Sequence, residues 1–490
     1  MKNTRTTSLR RMLVVALAVT IPAAGLVAGA VPAATAAEAD KPKVVVVATG
    51  GTLAGKADGR DTYTDYRAGT YPMQDMVDLL QPELSAFADV SVVQFGNSGS
   101  GGYTIPQYHG LTLAVQAALA EADGVVVTTG TDTMEEFAYW LDLTVQNKKP
   151  VVITGAMRPW AAGATAGEAG VIGTDGPANL LQSIRLAASQ KTFCFGTVLM
   201  LNDEIHAARD VTKTNSTRND TFQTRTLGAL GWLDGSDIFV ERAPARLNRC
   251  ATDDWFTPFQ LDTVDPASLP RTEIIYGYQQ AGGEAITAFA NAGVKGIVTA
   301  GTGAGGISSA QGAARTAAAN AGVWFASTTR TGSGAVTGGS GNVIAANDLL
   351  PQKARLLLLL SLAFTSDVEE ARGWFGSFGT PSFDSSALAG TVNPVRGSSG
   401  PEPTGEPTTE PTTEPTEEPT TEPTPGASGT PTPGAGGAGG PSDPSSGASA
   451  GLLPALGSNA GAFAAIAFLV LLAGAGVLIV RRRNAAQLNH

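Results

Sequence analysis

The sequence predicts an α/β protein with a larger N-terminal parallel-sheet domain and a smaller C-terminal α/β domain. Three observations carry that reading. Short β-branched runs without a polar face, beginning with Val44-Val45-Val46-Val47, read as central strands of a parallel sheet. Apolar residues between them recur at helical spacing, as at Leu111, Val115 and Leu119 and again at Phe137, Leu141 and Val145. The two patterns alternate along the chain, as crossover helices require.

In chain order, Val90 to Phe95, Gly124 to Thr128, Val151 to Gly155 and Phe195 to Asn202 repeat the buried-strand pattern of the first run. They place the N-terminal domain at residues 43–245. A stretch of mixed polarity with several prolines, 246–270, reads as a linker. Ile274 to Tyr276, Gly296 to Val298 and Val323 to Phe325 then supply strands for a C-terminal domain at 271–380.

Both ends carry targeting patterns. Arg5, Arg10 and Arg11 precede an apolar run, and Ala34-Thr35-Ala36 follows it, so residues 1–37 read as a secretory signal. The Arg10-Arg11 pair leaves general and twin-arginine export both open. Residues 398–452 are rich in Pro, Thr, Glu, Gly and Ser and have too few apolar side chains to offset ordering entropy, which predicts a disordered stalk. Residues 461–480 are apolar and long enough to span a bilayer. A basic tail, 481–490, follows with Arg481, Arg482 and Arg483, which favours the cytoplasmic side for that end. Leu453-Pro454-Ala455-Leu456-Gly457 resembles a sortase cell-wall sorting signal, with Leu456 where that signal carries Thr. The expectation is an exported protein held at the cell surface by its C-terminal span, at the membrane or the cell wall.

Charge and cysteine usage narrow the chemistry. The net charge is −11, which argues against a nucleic-acid partner. Three histidines and two cysteines show no metal spacing, so neither metal nor cofactor is expected. Cys194 and Cys250 could pair in an oxidising compartment or stand apart as small apolar residues. Gly301 to Gly306 fits GxGxxG after a strand, but the next strand ends in Ser327 and Thr328 without the acid a dinucleotide ribose needs.

Two segments share one design. Val44 to Ala48 runs into Thr49-Gly50-Gly51-Thr52, and Val125 to Thr128 runs into Thr129-Gly130-Thr131-Asp132. Each sets a hydroxyl on a glycine turn at the carboxyl end of a buried strand, where open parallel sheets bind ligands. A threonine nucleophile needs a base, and neither His109 nor His206 stands in a triad-like context. Lys213 lies in a polar stretch where a solvated loop lysine is the plain alternative to a base.

ATGGTLAG (Ala48 to Gly55), TGTDTMEE (Thr129 to Glu136), GAMRP (Gly155 to Pro159), RDVTKTN (Arg209 to Asn215) and LPQKAR (Leu350 to Arg355) occur in that order. The ordered set resembles the signatures of the bacterial-type L-asparaginase and glutaminase family, over about Lys43 to Phe378. The resemblance implies that Thr52 attacks a side-chain amide and that Thr131, Lys213 and Asp132 handle protons. It implies that Asp132 also binds the substrate ammonium, and that Tyr66, with Tyr63 as fallback, belongs to a closing lid. Where the family holds the substrate with a Ser-Gln pair, Ser100 matches the serine and Gly101 stands in place of the glutamine. The Asn and Glu that many periplasmic members lend to a neighbouring subunit are absent from 301–306 and 331–341. Trp160 to Thr174 is extra and reads as an enlarged surface loop. The implied activity is hydrolysis of L-asparagine, a small-molecule substrate, by a homo-oligomer that is tetrameric in the family. A glutaminase or broader amidohydrolase, and a catalytically inactive amino-acid-binding protein, are the alternatives.

Overall fold

A computed structural model describes residues 40–383. The secretory signal, the stalk, the apolar span and the basic tail lie outside the described residues. Among the described residues no helix is long and apolar enough to cross a membrane.

The N-terminal domain opens with β1 (Lys43–Gly50), a ribbon of β2 (Lys56–Ala57) and β3 (Tyr66–Arg67), helix α1 (Met73–Asp78) and β4 (Asp89–Ser98). Then come α2 (Ile105–Glu121), β5 (Gly124–Thr128), α3 (Met134–Thr144), β6 (Val151–Thr154), α4 (Gly176–Ala188), β7 (Thr197–Leu201) and β8 (Glu204–Ala207). A second ribbon, β9 (Thr212–Lys213) with β10 (Phe222–Gln223), precedes β11 (Gly231–Asp234) and β12 (Asp237–Val240). One eight-stranded sheet has the order β12-β11-β8-β7-β6-β5-β1-β4. From β4 through β7 its pairs are parallel.

The continuous apolar runs follow from two-sided burial. Val44 and Val46 of β1 face a core with α1 and α4, whereas Val47 faces one with α2 and α3. Val126 of β5 joins the first core and Val125 and Val127 the second. Because neighbouring residues point to opposite faces, no polar position is left between helices.

The C-terminal domain comprises β13 (Thr272–Tyr276), α5 (Glu284–Asn291), β14 (Gly296–Gly301), α6 (Ser309–Asn320), β15 (Trp324–Thr329), β16 (Val343–Ala345), α7 (Pro351–Phe364) and α8 (Val368–Trp374). Its four strands are parallel in sequence order. Helix α7 joins the domains, its Leu356 to Leu360 sharing one core with Phe137 and Trp140 of α3.

Four details depart from the sequence reading. The larger sheet is extended by antiparallel β8, β11 and β12. Asn202 and Asp203 both have positive φ, 55° and 63°, which makes a two-residue hairpin turn and ends β7 at Leu201, short of the expected Asn202. β4 alternates between partly buried and exposed because it is the edge strand, rather than a central one. The inserted stretch 160–174 is not a free loop: Trp160 is buried, and Arg60 Nε donates to the Gly170 carbonyl at 2.9 Å while Ile172 N–H donates to Arg60 at 2.8 Å. It therefore backs the stem of the β2–β3 ribbon. Cys194 and Cys250 form a disulfide across Cα atoms 5.7 Å apart, tying the approach to β7 to the linker.

Candidate active site

The register of two neighbouring strands builds the site. β1 and β5 run parallel with Ala48 opposite Thr128, so both glycine turns leave the sheet side by side. Thr49 Oγ1 donates to the Thr128 carbonyl at 2.9 Å and ties them. Gly51, at φ +79°, lies so close to the other turn that a Cβ would stand 2.2 Å from Gly130 N. No residue with a side chain fits there without parting the turns. The end of β4 completes the cluster: Gly51 N–H donates to Ser98 at 2.9 Å, and a Cβ on Gly130 would meet Ser100 N at 2.8 Å.

Thr52 is buried, and its hydroxyl lies 2.7 Å from the Tyr66 hydroxyl. Burial raises the Tyr66 pKa above its ordinary value of 10.0, the Thr52 hydrogen bond opposes that rise, and the negative Asp132 adds to it. Tyr66 is therefore a phenol at neutral pH, able to donate to or accept from Thr52. Tyr63 instead lies exposed with the Arg158 guanidinium 4.6 Å from its ring centre, so Tyr66 is the tyrosine that meets the threonine.

Thr131 ends the second turn immediately before α3, whose N-terminal dipole favours negative charge. Lys213, on β9, donates from Nζ to Thr131 Oγ1 at 2.9 Å and to an Asp132 carboxylate oxygen at 2.8 Å. The two partners differ in access. The Lys213 side chain is 14% exposed and that of Asp132 is 83% exposed, so the carboxylate is free to meet an incoming cation.

Ser100 is buried with its hydroxyl turned inward, accepting the Thr133 N–H at 3.1 Å at the start of α3. Exposed Ser98 is the serine beside Gly50 in the strand register. A Cβ on Gly101 would have nothing within 4 Å, so that position opens onto free space.

Sequence reasoning missed three residues that support these groups. Asp175 accepts the N–H groups of Met157 at 2.8 Å and Arg158 at 2.9 Å and fixes the turn after β6. The Glu135 carboxylate accepts the Thr212 hydroxyl at 3.0 Å and the Lys213 N–H at 3.3 Å. Lys353 is fully buried and donates to the carbonyls of Ala208, Arg209 and Val211. The sequence signal for the last was a lone lysine heading a leucine run in LPQKAR.

A cavity of about 660 Å³ lies away from this crevice, walled in part by Asp142, Arg209, Leu230, Arg246 and Phe378. Two of its arginines are already paired, Arg209 with Asp348 and Arg246 with Asp142. Thr52, Tyr66, Ser100, Thr131, Asp132 and Lys213 are all absent from its lining.

Hydroxyls, an amine and a carboxylate gathered at the carboxyl edge of a parallel sheet give the layout of a hydroxyl-nucleophile hydrolase. Residues 43–246 match the family model described as Asparaginase, N-terminal, and residues 271–375 match Glutaminase/Asparaginase C-terminal domain. The chain belongs to the asparaginase family. L-asparaginase 2 of Bacillus subtilis is 38% identical over 345 residues, covering 69% of this chain and 87% of that protein. L-asparaginase 2 of Escherichia coli is 35% identical over 343 residues, covering 69% and 93%. A crystal structure titled as a probable cytoplasmic L-asparaginase from Campylobacter jejuni matches with a TM-score of 0.63 at 34% identity, covering 68% of this chain and 99% of that one.

Proposed function

We propose that this chain hydrolyses L-asparagine to L-aspartate and ammonia, and that it does so outside the cell. The observation that carries the activity is the Lys213 amine held between Thr131 and Asp132, residues about 80 positions away in sequence. Thr52 Oγ attacks the side-chain amide carbon, its proton passing through Tyr66 toward the leaving nitrogen. Ammonia departs and an ester to Thr52 remains. Water, deprotonated through the Thr131–Lys213–Asp132 set, then cleaves that ester and restores the hydroxyl. The exposed Asp132 carboxylate receives the substrate ammonium. Backbone N–H groups at the Thr131 turn face the oxyanion, where preorganised donors contribute most.

Export is supported by the signal-like residues 1–37 and by the Cys194–Cys250 disulfide, a bond that persists in oxidising compartments. The anchored surface location and a homo-oligomeric state belong to the same reading. The test is ammonia release from L-asparagine and L-glutamine by the purified protein, with Thr52→Ala and Lys213→Met alongside. Turnover of asparagine that both substitutions abolish is expected. Turnover that either substitution leaves intact overturns the assignment of that residue, and absence of asparagine turnover in the parent overturns the activity.

A further inference from the structure

We infer that Glu135 and Lys353 are positioning residues for Lys213, one buried carboxylate from the N-terminal domain and one buried ammonium from the C-terminal domain holding the strand that carries it. The inference rests on the placement of Lys213 in the active site.

Between Ala208 and Val211 the chain from β8 to β9 is a turn outside any strand, with the Ala208 N–H still bonded to the sheet at Thr197. Three of its four carbonyls turn to one group. Lys353 Nζ donates to Ala208 at 2.8 Å, to Arg209 at 3.0 Å and to Val211. An ammonium has three protons, so these carbonyls use its full donor capacity. Glu135 fixes the next two residues, through the Thr212 hydroxyl and the Lys213 N–H on Oε1, and its Oε2 accepts Gln352 Nε2 at 2.9 Å. The same Oε2 lies 3.9 Å from Lys353 Nζ, a countercharge rather than a hydrogen bond. Every residue from Ala208 to Lys213 except Asp210 is thus gripped by one of two charged side chains.

A buried ion pair adds little net stability over an apolar pair of the same volume. Its value here is geometric. Glu135 stands three residues after Asp132, so one helix start sets both the carboxylate that Lys213 meets and the one that holds its backbone.

Titration separates positioning from domain glue. Burial lowers the Lys353 pKa to about 8; Glu135 opposes this most, then Asp210, with Arg209 reinforcing the fall and Asp142 opposing it. Glu136 faces the same group, since Lys353 acts on its own titration. Glu135→Gln removes the largest opposing charge, so Lys353 deprotonates at lower pH. A neutral amine donates two protons and cannot serve three carbonyls. The strand then loosens as pH rises, with Lys213 on it.

The experiment measures kcat and KM for L-asparagine from pH 5.5 to 9 on the full chain and on Glu135→Gln, Glu135→Asp and Lys213→Met, with folding checked by circular dichroism. Glu135→Gln is expected to lose about a hundredfold in kcat at pH 8, the loss shrinking toward pH 6, with KM nearly unchanged. Glu135→Asp keeps the charge and should keep the parental pH profile. A folded Glu135→Gln enzyme with parental kcat at every pH, or with a uniform loss that acid does not relieve, overturns the inference. If Lys213→Met is active, the placement of Lys213 itself fails. If Lys213→Met is inactive and Glu135→Gln is parental, only the positioning claim falls.

Discussion

Gly51→Ala tests the contact on which the crevice is built. The substitution adds one uncharged methyl group, yet the structure assigns it two penalties. At φ +79° alanine is strained, at roughly 1–2 kcal/mol. The new Cβ would stand 2.2 Å from Gly130 N and 2.4 Å from Gly130 Cα, both backbone atoms that cannot rotate away. Overpacking of that kind costs about 1–3 kcal/mol. The sum, about 2–5 kcal/mol, is a large part of a domain's typical 5–15 kcal/mol, so the protein should fold with a lower melting temperature. To reach ordinary contact the turns must part by more than about 1 Å, and displacement on that scale costs about a hundredfold in rate. The assay pairs thermal denaturation with ammonia release from L-asparagine. Gly101→Ala is the control, because nothing lies within 4 Å of its Cβ and its φ is not positive. A Gly51→Ala protein with parental melting temperature and kcat would show that the turns do not touch as described.

The remaining predictions address single contacts. Tyr66→Phe removes the 2.7 Å partner of Thr52 and should lower kcat by about a hundredfold with little change in KM, read by initial rates; a parental kcat removes Tyr66 from the reaction. Cys194→Ser with Cys250→Ser opens a bridge between residues 56 positions apart, worth about 4 kcal/mol on loop entropy, so unfolding should shift down by on the order of 10 °C. Activity below that transition should persist, since neither cysteine touches the crevice. Glu136 supplies a pH test of stability. Burial pushes its carboxyl up to about 7 from 4.5, against the pull of Arg355 at 3.8 Å. Between those values the native state keeps a proton that the unfolded chain releases, so stability falls as pH rises through that window, by about 3 kcal/mol in all. Glu136→Gln should flatten that fall in denaturant titrations at pH 5 and 7.5; an unchanged slope would show that Glu136 ionises normally.

Much of the fold was legible because buried parallel strands write a local signal. Val44 to Val47 and Gly124 to Thr128 lie in strands close to where their composition puts them, and the glycines at 51 and 130 mark the turns. The antiparallel extension was harder to see, since Asn202 reads as the end of a strand until β8 pairs back across Asn202-Asp203. The edge position of β4 was invisible for a related reason: strand order is a property of the whole sheet.

The site divides along the same line. Residues 48–55 and 129–136 by themselves determined that two hydroxyls would sit on glycine turns after buried strands, because strand propensity and the loosening effect of glycine act within a few residues. Only the tertiary structure decided that Gly51 would rest on Gly130, that Tyr66 rather than Tyr63 would reach Thr52, and that Ser100 would turn inward. It alone brought Lys213 to Thr131 and set Glu135 and Lys353 behind it. Each of those contacts joins chain segments through packing and register. No local preference encodes such a meeting, since its energy exists only once the sheet and its helices have closed around it.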